Sequence, residues 1–166
     1  MAPRVVILVD SMIVIEAVRT SCWNAITGQL QVATVEECAG ELRRGDPGTR
    51  GYVRVTDQDI ARITVAPLSD EERAALWLMY PAADGLDPGE RDLLAHAMTR
   101  TDEFQVCSCD KAAVVAAHAF GWLYRVVSLE ALAASVGSRP NPRLKVQFTE
   151  TRMSQWRTSL KLGGPI

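Results

Sequence analysis

Two aspartates in this chain each follow a short run of residues that is typical of a buried parallel strand. Asp10 follows residues 5–9 (VVILV), and Asp110 follows residues 105–109 (QVCSC). Ligands of an open α/β sheet bind outside the carboxyl ends of its strands, so we expect both carboxylates at one crevice. Carboxylate oxygens are the ligands that Mg²⁺ and Mn²⁺ prefer. The pair therefore predicts a site for a hard divalent cation.

Two glutamates between these aspartates extend the candidate site. Glu41 lies on a helix predicted over residues 35–44, and Glu90 lies in the first turn of a helix that opens with Asp87 and Pro88. Four convergent carboxylates suit a pair of metal ions, which activate a water molecule and stabilise the leaving oxygen of a phosphodiester. The four acids together therefore indicate metal-assisted hydrolysis.

Helix capping offers a simpler account of each acid. Asp10 and Asp110 stand where an N-cap is expected, at the start of a helix. Glu90 suits the reciprocal partner of Asp87 in a capping box. Glu41 suits a solvated helix position. Capping accounts for each acid on its own. It does not require that all four acids occur together along one alternating series of strands and helices.

Strands and helices alternate along most of the chain, which predicts the layers that position these acids. We expect strands over residues 5–9, 31–34, 105–109 and 123–127, and helices from 11 to about 26, over 35–44, from the Ser69–Glu72 capping box to 79, from 88 to 98, over 111–120 and over 128–136. Residues 52–55 and 62–65 alternate like a small hairpin or like edge strands. Right-handed crossovers then give an α/β fold, a three-layer α/β/α sandwich with a central, mainly parallel sheet.

Composition predicts one domain with a basic extension. The chain has 166 residues, 48% of them hydrophobic, and a net charge of −2. A breaker cluster at 136–142 separates residues 1–137 from residues 138–166, which carry six lysines and arginines against one glutamate. We expect this extension to pack on or near the domain, with a strand over 144–148 and a helix over 151–162. Its charge suits either a polyanion-binding strip or a solvated end.

The same sequence disfavours a membrane or secreted location. The first apolar run is cut short by Asp10, too early for a membrane span or a signal core. The cysteines Cys22, Cys38, Cys107 and Cys109 fall mostly among apolar neighbours and are interpreted as reduced. A cytoplasmic protein without a membrane partner is expected.

Basic residues at two places are candidates for contact with nucleic acid. Arg43 and Arg44 follow Glu41, and they suit either phosphate contacts or a solvated face. In the extension, Trp156 lies near Arg152 and Arg157. An aromatic ring among cations stacks on a base in some proteins. The alternative, which we favour, is that Trp156 anchors the extension on the domain.

Four short segments, in order along residues 4–137, carry a family resemblance. They are VDSMIVIEA (9–17), ELRRG (41–45), GERDLLAHA (89–97) and SCDKAA (108–113). Together they resemble the PIN-domain ribonucleases, a family that includes the VapC-type toxins of prokaryotic toxin–antitoxin pairs. The resemblance implies a divalent-metal-dependent endoribonuclease that uses Mg²⁺ or Mn²⁺ and acts on RNA. It also implies an antitoxin partner and a homodimer.

Carried onto this sequence, the resemblance assigns roles to individual residues. The acids that bind metal and catalyse would be Asp10, Glu41, Glu90 and Asp110. Ser11 and Ser108 would be supporting hydroxyls that orient carboxylates or a water molecule. Asp92 would assist or replace Glu90.

Two departures from the family pattern support an alternative function. Met12 stands where the family usually has Asn, and Cys109 stands where many members have a further Asp. A catalytically weak PIN-fold module that binds RNA or a protein is therefore the second hypothesis. A phosphohydrolase with Asp10 as nucleophile is a weaker third, because the second Asp it expects is replaced by Met12.

Overall fold

A central sheet of five parallel strands organises the protein, whose computed structural model describes residues 4–166. The strands are β1 (Val6–Val9), β2 (Gln31–Val35), β3 (Thr64–Ala66), β4 (Phe104–Cys107) and β5 (Val126–Val127). Their order across the sheet is β3-β2-β1-β4-β5, and every neighbouring pair is parallel. Strand β1 therefore lies at the centre, between β2 and β4.

Helices cover both faces of this sheet. They are α1 (Ser11–Arg19), α2 (Trp23–Gln29), α3 (Glu36–Arg43), α4 (Asp57–Ile60), α5 (Asp70–Met79), α6 (Pro88–Met98), α7 (Lys111–Ala119), α8 (Leu129–Ser135) and α9 (Glu150–Lys161). Ile7 and Val9 of β1 join a core with α1, α2 and α8, whereas Val6 and Leu8 join a core with α6. Strand β1 is apolar throughout because both of its faces are buried. The predicted three-layer α/β/α sandwich is confirmed.

Local sequence signals predicted the positions of several helices correctly, but they missed a break within one predicted helix. The predicted capping box forms, since Ser69 Oγ accepts the Glu72 N–H and the Glu72 carboxylate accepts the Ser69 N–H. The single helix expected from residue 11 to about 26 is instead two helices. Ser21 interrupts it with a left-handed φ of 61°. Both α1 and α2 nevertheless pack on the same core, so the apolar pattern continues across the break and did not reveal it.

Of the hairpin or edge strands expected over residues 52–55 and 62–65, the described chain forms one edge strand, β3, and no hairpin. Residues 52–56 form no strand, and β3 pairs in parallel with β2, with Ala33 opposite Thr64. Val55 and Val65 both pack against the core that contains β1, so their alternation reflects one-sided burial and not mutual pairing. The strand expected over 144–148 is also wrong. A short 3₁₀ turn at Val146–Phe148 places Phe148 in the same core.

The basic extension folds back onto the sandwich. Helix α9, predicted over 151–162, is confirmed, and its Met153 and Leu160 pack against Val114 of α7 and Val126 of β5. Within residues 4–166, no helix has the length and apolar character that crossing a membrane requires.

Candidate active site

The side of the sheet on which the chain adds successive strands changes between β1 and β4. From β1 it proceeds to β2 and β3 on one side, and it then returns to place β4 on the other side, with Val9 opposite Cys107. Such a switch point leaves a crevice beyond the carboxyl ends of the two strands. Asp10 follows β1 directly, and Ser108 follows β4 directly. The topology therefore brings the two predicted strand ends to one place.

Asp10 is both a helix cap and a crevice residue. Its Oδ1 accepts the Ile13 N–H at 2.9 Å, which caps α1 as predicted. Its Oδ2 accepts a hydrogen bond from the Ser108 hydroxyl at 2.7 Å, across the switch point. The side chain is almost fully buried, with the residue 3% exposed. Capping and a role in the crevice are thus compatible, because each uses a different oxygen.

Asp110 shares this arrangement through the same serine. Its Oδ1 accepts the N–H groups of Ala112 and Ala113, at 2.7 and 3.2 Å, and so caps α7 as predicted. Its own N–H donates to the Ser108 hydroxyl at 3.2 Å. Within residues 4–166, no hydrogen-bond donor reaches the second oxygen of Asp110. That oxygen is therefore free to face a ligand.

Glu41 reaches the cluster from α3. The Ser11 hydroxyl donates to its Oε2 at 2.5 Å, so the first residue of α1 orients this carboxylate. The Glu41 carboxylate also lies against the start of α6. A Cβ added to Gly89 would lie 2.8 Å from Glu41 Oε1 and 3.0 Å from the Cys38 sulfur. Any larger residue at position 89 would have to displace the Glu41 carboxylate.

Glu90 completes the group from the first turn of α6. Asp87 occupies the N-cap position of α6, but its side chain makes no capping hydrogen bond. The Asp87 half of the predicted capping box is therefore missing, but the Glu90 carboxylate still faces the Asp87 N–H, as the reciprocal partner would. Glu90 also lies within electrostatic reach of Asp110 and Asp10.

Mutual repulsion and burial shift the ionisation of this cluster. Burial, reinforced by the charges of Asp110 and Asp10, raises the pKa of Glu90 to about 8. Burial also raises the pKa of Asp10 to about 6, against the hydrogen bonds from Ser108 and Ile13 and with the charges of Asp110 and Glu41. Asp10 thus lies in the electrostatic field of Asp110 and Glu41, and Glu90 lies in that of Asp110 and Asp10. A bound cation would relieve this repulsion.

The donor set of the crevice suits a hard cation. Within residues 4–166, none of the four acids forms an ion pair with a lysine or arginine. In the same part of the chain, no three Asp, Glu, His or Cys side chains already stand at metal-ligand spacing. Burial and the charges of Asp10 and Glu41 raise the pKa of the Cys38 thiol to about 12. Cys38 therefore stays protonated, and the ligands on offer are oxygens.

The structure gives Asp92 a different role from the one expected. On a helix, two positions differ in direction by roughly 200°, so Asp92 points away from Glu90. Its buried carboxylate pairs with Arg73 of α5, with the Arg73 Nη2 3.0 Å from Asp92 Oδ2. This ion pair ties α6 to α5, which corrects the expectation that Asp92 assists Glu90.

The basic residues of α9 are also corrected in part. Trp156 is only 6% exposed and packs in the core beneath α9, so it anchors the extension and offers no ring to a base. Arg157 donates to Glu150 Oε1 at 2.6 Å and to the Val126 carbonyl. Both residues therefore hold the extension in place. Arg152 is half-buried at the surface of α9 and stays a predicted contact.

Arg43 and Arg44 lie exposed at the end of α3, close in sequence to Glu41. Their ion pairs are superficial, with Arg43 Nε 3.7 Å from Asp57 Oδ1 and Arg44 Nη2 3.0 Å from Glu37 Oε1. Exposed pairs of this kind contribute little free energy and exchange readily. Phosphate contacts by Arg43 and Arg44 therefore stay a prediction, and they would compete with these weak ion pairs.

The sequence did not single out Gly89 and Cys38, although Gly89 lies against both the Glu41 carboxylate and the Cys38 sulfur. Gly89 was visible only as part of a family-like segment, and its role as a spacer depends on the packing of α6 against α3. Cys38 lies one turn before Glu41 on α3, a position that gives no chemical signal of its own.

Gly89→Ala is expected to destabilise the protein by about 1–3 kcal/mol, because the new methyl group must displace the Glu41 carboxylate or the α6 start. Gly28→Ala is a matched control on a helix, since its Cβ would meet nothing within 4 Å. The control is expected to be neutral or stabilising by up to about 1 kcal/mol. Urea unfolding measures both, and equal effects would refute the close approach at Gly89.

No family model and no curated protein matches this chain. The functional proposal therefore rests on the geometry of the crevice and on the resemblance of the four segments.

Proposed function

We propose that this protein is a divalent-metal-dependent endoribonuclease of the PIN type, which hydrolyses RNA phosphodiester bonds. The observation that carries the proposal is the gathering of four acids from four separate elements at one switch point, without a cationic partner among residues 4–166. Uncompensated carboxylates are costly to bury, so they are kept where a metal ion neutralises them.

Asp10, Glu41, Glu90 and Asp110 would hold Mg²⁺ or Mn²⁺, which when bound activates a water molecule and stabilises the leaving oxygen. The surrounding residues prepare these ligands. Ser108 fixes one oxygen of Asp10 and the backbone of Asp110, while Ser11 fixes one oxygen of Glu41. Such outer hydrogen bonds orient ligands and tune their affinity.

The choice of RNA rests on the family-like segments and on Arg43 and Arg44, which are exposed at the end of α3 and follow Glu41 closely in sequence. The same resemblance makes a VapC-like toxin role, with an antitoxin partner and a homodimer, part of the proposal. Cys22, Cys38, Cys107 and Cys109 are free thiols, which suits a reducing cytoplasm.

A PIN-fold binding module without strong catalysis is the second candidate. Met12 contributes an exposed apolar side chain next to the acids, where a polar group would be expected in a nuclease. Burial and the charges of Asp10, Asp110 and Glu90 raise the pKa of Cys109, so this thiol does not replace the missing carboxylate. A binding module would take up RNA or a protein without specific metal uptake.

The affinity for Mn²⁺ is expected to rise steeply with pH. Metal binding requires ionised carboxylates, and the pKa values of Glu90 (about 8) and Asp10 (about 6) mean that protons must leave at neutral pH. Between pH 6 and pH 8 the affinity should increase on the order of 50- to 100-fold. Titration calorimetry in two buffers of different ionisation enthalpy measures both affinity and proton release.

Glu90→Gln is the control for this titration. It removes the acid with the highest pKa, so the Mn²⁺ affinity of this variant should depend much less on pH. Absence of saturable Mn²⁺ uptake at pH 8 would favour the binding module.

RNA cleavage tests the proposed function directly. Single-stranded and structured RNAs are incubated with the protein and Mn²⁺, and the products are separated on a denaturing gel. Cleavage that EDTA abolishes is expected. Cleavage that persists in EDTA would contradict a metal-dependent mechanism, and no cleavage of either RNA would contradict nuclease activity.

A further inference from the structure

A groove of about 260 Å³ opens beside Glu41, outside the acid cluster itself. Helix α1 contributes Met12 and Ile15, α3 contributes Glu41, and the loop over residues 45–55 contributes Arg50 and Tyr52. The remaining wall is formed by Lys145, which belongs to the C-terminal extension. The groove is therefore built from three distant parts of the chain and adjoins a proposed metal ligand.

The groove combines an apolar surface with free cations. Met12 is 45% exposed and Tyr52 is 38% exposed, which is high for large apolar side chains. Arg50 and Lys145 are both exposed, and neither forms an ion pair within the described chain from residue 4 to 166. An aromatic ring beside cations is the arrangement on which unpaired bases and their phosphates bind.

The acid on the loop forms no ion pair with Arg50 or Lys145 in the part of the chain that the structure describes. Asp46 also lines the groove, but its Oδ1 accepts the Gly48 N–H at 2.8 Å and its Oδ2 accepts the Thr49 hydroxyl at 3.3 Å. These bonds shape the loop that presents Arg50 and Tyr52. The Asp46 carboxylate is thus used within the loop.

Lys145 reaches the groove because α1 holds the extension by a buried carboxylate. Glu16, 1% exposed, accepts the Lys145 N–H at 2.8 Å and two hydrogen bonds from Arg19. Arg19 also donates to the Arg143 carbonyl at 2.7 Å. The backbone on both sides of Lys145 is thereby fixed against the end of α1. Glu16 is a positioning residue for Lys145.

We propose that this groove binds one unpaired nucleotide of the RNA substrate, with its base against Tyr52 and Met12 and its phosphate between Arg50 and Lys145. At about 260 Å³ the groove is slightly smaller than the roughly 300 Å³ at which pockets for small ligands start, so it suits a single base that stays partly open to solvent and is too small for a duplex. Proteins that read RNA sequence bind unpaired bases in this way. The inference rests on the proposed nuclease function, and it assigns the basic extension a part in substrate binding.

Fluorescence anisotropy with a labelled ten-residue oligouridylate tests the subsite, with Ca²⁺ in place of Mn²⁺ and RNA integrity checked on a gel. Tyr52→Ala should weaken binding at least about fivefold, whereas Tyr52→Phe keeps the ring and should stay within about twofold. Arg50→Gln and Lys145→Gln should each lower the slope of log Kd against log salt, and together by about 0.7, because the two cations share one phosphate of a single strand. Lys161→Gln, an exposed lysine on α9, is the matched control and should leave the slope unchanged.

The positioning role of Glu16 has its own measurement. Glu16→Gln should lower the salt slope as much as Lys145→Gln does, and the double variant should lower it no further. Additive slopes would show that Glu16 does not act through Lys145. Since Lys145→Gln alters only an exposed side chain, it reports on the subsite even where a Glu16 variant folds poorly.

Crosslinking locates the bound base. An oligouridylate that carries one 4-thiouridine is irradiated with the protein, and the modified peptides are identified by mass spectrometry. Adducts on residues 12–15 or 50–53 support the subsite, and adducts confined to α9 overturn it.

Different results would refute the proposed nuclease activity and the proposed nucleotide subsite. Mn²⁺-dependent cleavage with unchanged binding by Tyr52→Ala and Lys145→Gln would overturn the subsite and leave the nuclease. Weakened binding in these variants without cleavage by the wild-type protein would overturn the nuclease and leave an RNA-binding groove. Absence of oligouridylate binding by the wild-type protein at 50 mM salt would overturn the subsite.

Discussion

Asp10→Asn is expected to lower the rate of Mn²⁺-dependent RNA cleavage by at least about a hundredfold while stabilising the metal-free protein at pH 8. The amide keeps the shape of the carboxylate and can still accept the Ile13 N–H, so α1 retains its cap. What it loses is the negative charge that a metal ligand needs, and altering even the outer support of a metal site commonly costs 10- to 100-fold. Initial cleavage rates at saturating Mn²⁺ measure this loss.

The stabilising effect follows from the raised pKa of Asp10. This pKa is about 6 in the folded protein against an ordinary 3.8, chiefly because burial opposes ionisation. A group with a raised pKa favours folding fully below its ordinary pKa, and this contribution is lost as pH rises through the folded pKa. At pH 8 the ionised Asp10 therefore costs about 1–3 kcal/mol, which Asp10→Asn removes.

Thermal unfolding in EDTA measures this difference between the wild-type protein and Asp10→Asn. Each kcal/mol should raise Tm by about 2–4 °C at pH 8, and the difference should disappear near pH 4. Asp57→Asn is the control, because the Asp57 side chain is 92% exposed. This substitution should change the stability by less than about 0.5 kcal/mol, and so shift Tm by less than about 2 °C in either direction. An Asp10→Asn protein that is less stable than the wild type at pH 8 and cleaves RNA at the same rate would contradict the assignment of Asp10 as a buried metal ligand.

The sequence located the acids because their positions depend on local rules. An apolar run followed by Asp10 predicts a buried strand and a helix start, and parallel strands end at the same edge of a sheet. The capping of α1 and α7 follows from the same local signals. The convergence of Glu41 needed more, since it depends on how α3 and α6 pack at Gly89.

Features that depend on distant packing escaped the sequence. The alternation over 52–55 and 62–65 matched a hairpin, yet both segments pack separately on one core. Trp156 carried the composition of a nucleic-acid contact, but the fold of the extension buries it. Asp92 lay two residues from Glu90, and only its pairing with Arg73 shows which way it faces. In each case the side chain's partner lies far away in the sequence, where local pattern gives no signal.

Glu16 is the clearest example of such a distant partner, and it carries the second large expected effect. It lies in the middle of α1, and its carboxylate holds Lys145, 129 residues later in the chain. Burial alone would raise the pKa of Glu16, but the hydrogen bonds from Arg19 and Lys145 outweigh it, so the pKa is lowered from its ordinary 4.5. The ionised form is therefore the one that stabilises the fold.

Glu16→Ala is expected to destabilise the protein by about 2–4 kcal/mol at pH 7, because it leaves the Arg19 guanidinium and the Lys145 N–H without their acceptor. Because the pKa of Glu16 is lowered on folding, its contribution to stability is present above pH 4.5 and is lost as the pH falls through the folded pKa. The difference in unfolding free energy between Glu16→Ala and the wild type should therefore narrow below pH 4.5. Urea unfolding at pH 7 and at pH 4 measures it. Glu103→Ala, which breaks a surface ion pair with Arg125, is the matched control and should cost less than about 1 kcal/mol.

Hydrogen exchange separates a general loss of stability from release of the extension. If Glu16 anchors the chain around Lys145, exchange in Glu16→Ala should accelerate first at residues 141–148, at denaturant concentrations where β1 stays protected. Uniform acceleration across the sheet would show that Glu16 supports the core as a whole. Local acceleration together with a lower salt slope for RNA would tie the same carboxylate to both the fold of the extension and the binding of substrate.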